Sequence, residues 1–289
     1  MNIQIKKILI EVIKSSYPKS GRPSSKEIEH YLDVILYVLN SDIKWKYLKE
    51  HFHHDTYRKK FQYWCQKLNV FEKTHQVICS LLQKSYFNHS NLKQLFMDSS
   101  DILNKLGVEC IGRSRKYKFK NATKINIITN KDGIILAIKI YPANISDTII
   151  TKDTLDNIHV KLLSSRKYRK YIVTDKGYVN INEKNKIKNK AVLMYPDKSN
   201  TVNCPYNKYQ KRLRKVYMKK RYINENGFSW LKNSKRTTMR CDRLLTTFKG
   251  FVYLQALKNL SSKIKLLKIY FKSLFSAYST ENIIIFKLF

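Results

Sequence analysis

Tyr171-Ile172-Val173-Thr174-Asp175-Lys176-Gly177-Tyr178 opens with four residues that favour extended backbone and ends that run at an acid. Residues 171–174 therefore predict a short, buried strand with Asp175 at its carboxyl end. A second apolar run, residues 92–97, leads in the same way into Asp98. Open α/β sheets bind their ligands beyond the carboxyl ends of the strands, so two such strands side by side would bring two carboxylates to one crevice. Between them, residues 125–128 and 134–140 alternate around Asn130-Lys131-Asp132-Gly133, a hairpin signal. Ser146 opens a helical stretch to about residue 163, residues 191–195 predict another strand, and residues 209–232 and 244–275 are helical. The order of strand, hairpin, helix, strand, helix, strand and helices predicts a mixed sheet flanked by helices, an α/β architecture.

Upstream of this region the period is 3.6. Gly21, Arg22 and Pro23 break the chain, Ser24 and Ser25 can cap, and Ile28, Tyr31, Leu32, Ile35, Leu36, Val38 and Leu39 line one helical face. A short helix is predicted around residues 45–51. In residues 56–68, Tyr57, Phe61, Trp64 and Leu68 recur on one face with Arg58, Lys59, Lys60 and Lys67 between them. Two descriptions fit these residues: a helix-turn-helix-like pair with one basic helix, or a helical bundle with a solvated charged face. The predicted organisation is a helical domain over 1–90, an α/β domain over 91–260 and an amphipathic tail over 261–289.

Charge narrows the partner. The 289 residues carry 57 Lys and Arg against 21 Asp and Glu, a formal net charge of +36. Such an excess favours a polyanion, because phosphates neutralised by Lys or Arg release condensed counterions. Nucleic acid is the first candidate, and an anionic membrane surface is the rival. No run reaches the length of a transmembrane helix, and the first residues, interrupted by Lys6 and Lys7, do not read as a signal peptide, so an intracellular, DNA-associated protein is expected. Five scattered cysteines without a Cys-x-x-Cys pair argue against a disulfide framework and a zinc ribbon. His51, His53 and His54 read as a solvated helix end. Glycine-rich phosphate loops and nucleophile elbows are absent from the sequence.

In so basic a chain the acids stand out. Glu225 is the lone acid between Cys204 and Arg240, four residues after Arg221 and seven before Lys232, which places all three on one face of a predicted helix. It makes an ordinary surface ion pair or lends a carboxylate to a site. Taken with Asp98 and Asp175 it gives three acids, and clustered carboxylates repel one another unless a cation sits among them. Hard oxygen ligands favour Mg2+ or Mn2+, and a pair of such ions can clamp both oxygens of a phosphodiester displacement.

These segments resemble the DDE transposases of insertion sequences, in particular the branch with the Tyr/Arg/Glu/Lys signature that includes the insertion-sequence-five-like group. Met97-Asp98-Ser99-Ser100 resembles the first-aspartate strand, Gly112-Arg113-Ser114-Arg115-Lys116 the basic segment after it, and Thr123-Lys124-Ile125 with Lys131-Asp132-Gly133 the hairpin. Pro142-Ala143-Asn144-Ile145-Ser146-Asp147 is similar to the next segment, and Thr174-Asp175-Lys176-Gly177-Tyr178 to the second-aspartate motif. Arg221, Glu225 and Lys232 match the spacing of the third-acid helix, and Arg240-Cys241-Asp242 with Phe248, Gly250 and Phe251 the closing helix. The signature tyrosine position holds Met218. Gly21-Arg22-Pro23, residues 45–48 and residues 57–64 are similar to the family's preceding helical domain.

The resemblance implies an RNase H-like catalytic domain in which Asp98, Asp175 and Glu225 hold two Mg2+ or Mn2+ ions. It implies cleavage at terminal inverted repeats and joining of the 3′-hydroxyl to target DNA, with a homodimer to hold two element ends. Arg221, Lys232 and Lys176 would bind phosphates near the acids. Arg113, Arg115 and Lys116 would grip backbone, with Tyr117 and Phe119 either interleaved in that grip or forming one face of an edge strand. Arg58 and Lys59 would contact DNA from the helical domain. The alternative is a retired copy that binds DNA without turnover.

Overall fold

A computed structural model describes residues 1–18, 27–48, 53–161, 170–178, 191–196 and 208–266. The chain divides into two compact units: Met1–Ser85 with Leu103–Glu109 and the residues from Leu231 onward, and Tyr86–Ile102 with Cys110–Trp230.

The first unit is helical. It contains α1 (Ile3–Ser16), α2 (Ile28–Ser41), α3 (His54–Gln66) and α4 (Val70–Ser85). Of the apolar positions read from residues 28–39, Tyr31, Leu32, Ile35, Leu36, Val38 and Leu39 are buried on α2 and Ile28 is partly exposed, and Tyr57, Phe61 and Trp64 are buried on α3, as a 3.6-residue stripe requires. Residues 45–47, at the start of the helix expected at 45–51, form a 3-10 turn, and residues 49–51 lie outside the described residues. The breaker Gly21-Arg22-Pro23, the caps Ser24 and Ser25, and His51 lie outside the described residues. A C-terminal group joins the same unit: α9 (Lys235–Thr238), β7 (Met239–Arg240) and α10 (Leu245–Leu266). Phe251 of α10 stacks on Phe61 of α3 with ring centroids 4.4 Å apart. The tail from residue 267 lies outside the described residues.

The second unit holds the sheet. Its strands are β1 (Gln94–Asn104), β2 (Gly112–Ser114), β3 (Lys120–Asn130), β4 (Ile135–Pro142), β5 (Tyr171–Val173) and β6 (Val192–Met194). The path runs β2-β3-β1-β5-β6, and β4 pairs with β3. The hairpin members β2, β3 and β4 are antiparallel to their partners, whereas β1, β5 and β6 are parallel. The last two residues of β1 pass into the first unit and pair with β7. The helices are α5 (His89–Lys93), α6 (Asp147–Asp156), α7 (Lys208–Met218) and α8 (Tyr222–Leu231).

The β3–β4 hairpin forms where the sequence signals it. Asn130 accepts the backbone N–H groups of Asp132 and Ile134 on its side chain, and Gly133 takes φ 74°, a left-handed conformation that a Cβ would disfavour. The period-two alternation of β3 then divides the helices between the two faces of the sheet. Lys124 and Asn126 reach the start and middle of α6, while Ile127 and Thr129 meet α8. Gly227 lets α8 lie close on β3, because a Cβ there would stand 3.3 Å from Ile127 Cδ1.

Three elements differ from the sequence expectation. Residues 92 and 93 belong to α5, whose N-cap Asn88 and Asn91 bond reciprocally, and β1 continues past Asp98 to Asn104. The helix expected to reach residue 163 ends at Asp156. The single helix expected over 209–232 is two: α7 and α8 are separated by residues 219–221, where tight bonds such as Arg221 N–H to Met218 O turn the chain.

Candidate active site

Asp98 and Asp175 are juxtaposed by register. The parallel β1–β5 ladder pairs Phe96 with Val173. Two residues further along each chain are Asp98, within β1, and Asp175, just past the end of β5, and the Asp175 charge is felt at Asp98. Beneath them Phe96, Tyr171 and Val173 form one buried cluster with Met194, Tyr217 of α7 and Ile223 of α8. Met218, which the sequence resemblance set at the signature-tyrosine position, packs against that cluster.

The electrostatics follow. Burial pushes the Asp98 carboxyl up to about 6, and the charges of Asp175 and Asp147 push it the same way; the Ser99 N–H, donated to Asp98 Oδ1 at 2.8 Å, and Arg221 oppose the rise. Asp175 is exposed and accepts on Oδ1 from the Arg221 guanidinium at 3.0 Å and from the Lys176 N–H at 2.6 Å. Arg221 occupies the turn before α8 rather than the helix itself, and that position is what lets it reach across to Asp175. The Lys176 side chain is exposed.

Glu225 lies on α8 one turn after Arg221, exposed to solvent. Its carboxylate does not gather with those of Asp98 and Asp175 to within 4.8 Å of one another. Lys232 follows the end of α8 and belongs to the other unit. It does not share one continuous helix with Arg221 and Glu225 as the spacing suggested. Arg113, Arg115 and Lys116 are exposed around β2 and the turn after it. In the helical unit Arg58 pairs with Asp55 on its own helix at 3.0 Å, and Lys59 is exposed.

A third carboxylate, not assigned a role from sequence, borders the site. Asp147 opens α6 behind the N-cap Ser146, and its Oδ1 accepts from Ser99 Oγ at 2.7 Å and Lys124 Nζ at 2.8 Å. The buried Lys124 ammonium also donates to Ile145 O at 2.7 Å. Tyr178 donates its hydroxyl to Asn126 Oδ1 at 2.9 Å, and burial, with Asp147, Asp98 and Asp175 nearby, raises its phenol well above the usual range. The available signals were a lysine inside an otherwise apolar alternating run and a Ser-Asp pair opening a helix. Chemically, the arrangement is a set of oxygen donors at the end of a sheet, one of them disfavoured as an anion, rimmed by cations.

Residues 93–257 match the model of a family described as "Transposase DDE domain". Among solved structures, one described as a piggyBac transposase synaptic complex with hairpin DNA is similar at a TM-score of 0.44 and 10% identity, over 97% of this chain and 72% of that one. No curated protein sequence matches the chain. With the family match, the mixed sheet flanked by helices fits an RNase H-like α/β fold. No described helix is long and apolar enough to cross a membrane.

Proposed function

The chain belongs to the transposase DDE domain family, and from that premise we propose that it is an insertion-sequence-type DNA transposase of the Tyr/Arg/Glu/Lys-signature branch. It binds the terminal inverted repeats of its element as double-stranded DNA, hydrolyses the phosphodiester at each end and joins the 3′-hydroxyl to target DNA. The observation that carries this reading is the register that sets Asp98 beside Asp175 while leaving Asp98 pushed up to about 6. A fold that buries Asp98 beside two other acids, so that its carboxyl is raised even with Arg221 nearby, suits a site that takes further counter-charge from outside.

The donor set fits a hard divalent cation: every candidate ligand is a carboxylate oxygen, and Arg221 already pairs with Asp175 as a positive neighbour would. Asp98, Asp175 and Glu225 would hold two Mg2+ or Mn2+ ions, with α8 bringing the third acid. Such ions supply charge stabilisation for the reacting phosphate and a more acidic attacking water. The chain's own residues do the rest. Arg221 and Lys176 hold phosphates beside the acids, Arg113, Arg115 and Lys116 grip the backbone further along, and Lys232 binds a phosphate as well. Arg58 and Lys59 on α3 contact DNA from a helix-turn-helix-like N-terminal domain. A homodimer holds the two element ends together.

The test is cleavage of a plasmid carrying the element's terminal repeats, with Mg2+ or Mn2+. Asp98→Ala, Asp175→Ala and Glu225→Ala should each abolish nicking while the variant still folds cooperatively, and normal cutting by any one of them removes that residue from the site. Salt-sensitive DNA binding with no nicking under either metal identifies a retired, DNA-binding copy instead.

A further inference from the structure

We propose that the turn joining β2 to β3 is a base-stacking wedge: the ring of Phe119 lies on a nucleobase while the surrounding cations hold the adjoining phosphates. The inference rests on the DNA reading above and adds to it a contact with the bases.

The sequence of the turn is Arg113-Ser114-Arg115-Lys116-Tyr117-Lys118-Phe119-Lys120, and no acid occurs from Cys110 to Lys131. Arg113, Arg115, Lys116, Lys118, Phe119 and Lys120 are all exposed, and Phe119 is 61% exposed. A large apolar ring therefore stands mostly in water in a segment otherwise rich in cations. Charge complementarity favours a polyanion, and among polyanions only a nucleic acid offers both phosphates for the cations and an aromatic face for the ring.

The two aromatics of the turn do different things. Tyr117 is half-buried and donates its hydroxyl to Asp101 O at 3.3 Å. Phe119 has no such anchor, yet its backbone is held firmly. Its N–H donates to Ser114 O at 2.8 Å, its carbonyl accepts from Arg113 Nη1 at 3.1 Å, and Ser114 Oγ donates to Asp101 Oδ2 at 2.5 Å. The ring is thus presented on a braced support rather than left on a loose loop, which limits the entropy lost when it meets a partner.

Backbone conformation points the same way. Lys118 and Phe119 take φ 50° and 61°, two successive non-glycine residues in the left-handed region. Asn, Asp or Gly suits that region far better than Phe. Folding gains little burial and no backbone preference from this ring, which points to a use outside the chain.

Fluorescence anisotropy with the full chain separates the cases. The probes are a 20-mer of thymidylate and a 20-mer with the same phosphates but abasic sugars. Wild type should favour the base-bearing strand by about tenfold, within the about 5- to 150-fold that one stacked base is worth on alanine substitution. Phe119→Ala and Phe119→Asn should lose that preference while keeping the wild-type salt slope, and Phe119→Trp should retain it. Phe119→Asn should also melt no lower than wild type, because Asn accepts the left-handed backbone. A preference surviving in Phe119→Asn, or equal binding of both probes by wild type, overturns the wedge alone. Wild type that binds neither these probes nor duplex DNA removes the transposase reading with it. Loss of binding to anionic phosphatidylserine vesicles, with DNA binding intact, assigns the ring to a lipid surface and overturns the proposal.

Discussion

Glu72 on α4 and Asp98 on β1 are acids drawn into the protein, one in each unit, and the protein treats them in opposite ways. Both oxygens of Glu72 are met: Oε2 accepts from Lys249 Nζ at 2.7 Å and Asn69 Nδ2 at 2.6 Å, and Oε1 from the Tyr253 hydroxyl at 2.9 Å. Burial alone would raise its carboxyl, but these donors hold it below the ordinary range. Asp98 has the Ser99 N–H and the more distant Arg221 against the pull of burial and two other acids, and it rises to about 6. A matched acid fastens helices together, whereas under the proposed function the raised one is held ready for a divalent cation.

The contrast breaks most visibly on substitution. Asp98→Ala should lower metal-dependent nicking by more than about a hundredfold, the scale at which even supporting residues of metal sites act, with far-ultraviolet circular dichroism unchanged. Glu72→Ala should do the reverse. By leaving the Lys249 ammonium half-buried without its partner it should destabilise the protein by about 2–3 kcal/mol in urea unfolding, with nicking by the folded fraction intact. Equal effects of the two variants on both measurements would erase the distinction.

A pH series sharpens it. For Asp98 the folded protein holds its proton more tightly than the unfolded chain, so metal-free stability from this group falls as pH rises from about 4 to about 6 and is flat above. Glu72 has the opposite sign: its contribution is present above the unfolded carboxyl value and is lost as pH falls below it. Asp98→Asn should therefore flatten the upper part of the stability curve and add about 1–2 kcal/mol at pH 7 without metal. Glu72→Gln should flatten the acid side. The smallest effect belongs to the support of Asp147. Ser146→Ala removes the cap that accepts the Thr148 N–H of α6 and should cost about 0.5–1 kcal/mol in the same urea titration.

The parts legible in the sequence were those fixed by neighbours along the chain. The Asn130–Gly133 turn, the buried face of α2 and the run into Asp175 depend on local chemistry, and each stands where its pattern puts it. The break between α7 and α8 was not legible, because the helical period runs on through it. What accompanies the break is distant: Arg221 meets Asp175, and Asn224 accepts from Thr129, whose partner lies 95 residues away. The continuation of β1 through Ser99-Ser100-Asp101 to Asn104 is likewise set by strands beside it. Asp147 escaped notice since it acquires meaning only beside Lys124 and Ser99, contributed by two other strands. Single residues advertised their types but not their company.

The register that pairs Phe96 with Val173 also sets what length changes the chain can bear. Between the two aspartates run 76 residues, and additional ones spliced into a surface connection there would leave the acids facing each other. A single residue gained or lost between Phe96 and Asp98 would instead swing the carboxylate to the sheet's far side, so drift in this protein is free in its connections and forbidden within two positions of its ladder.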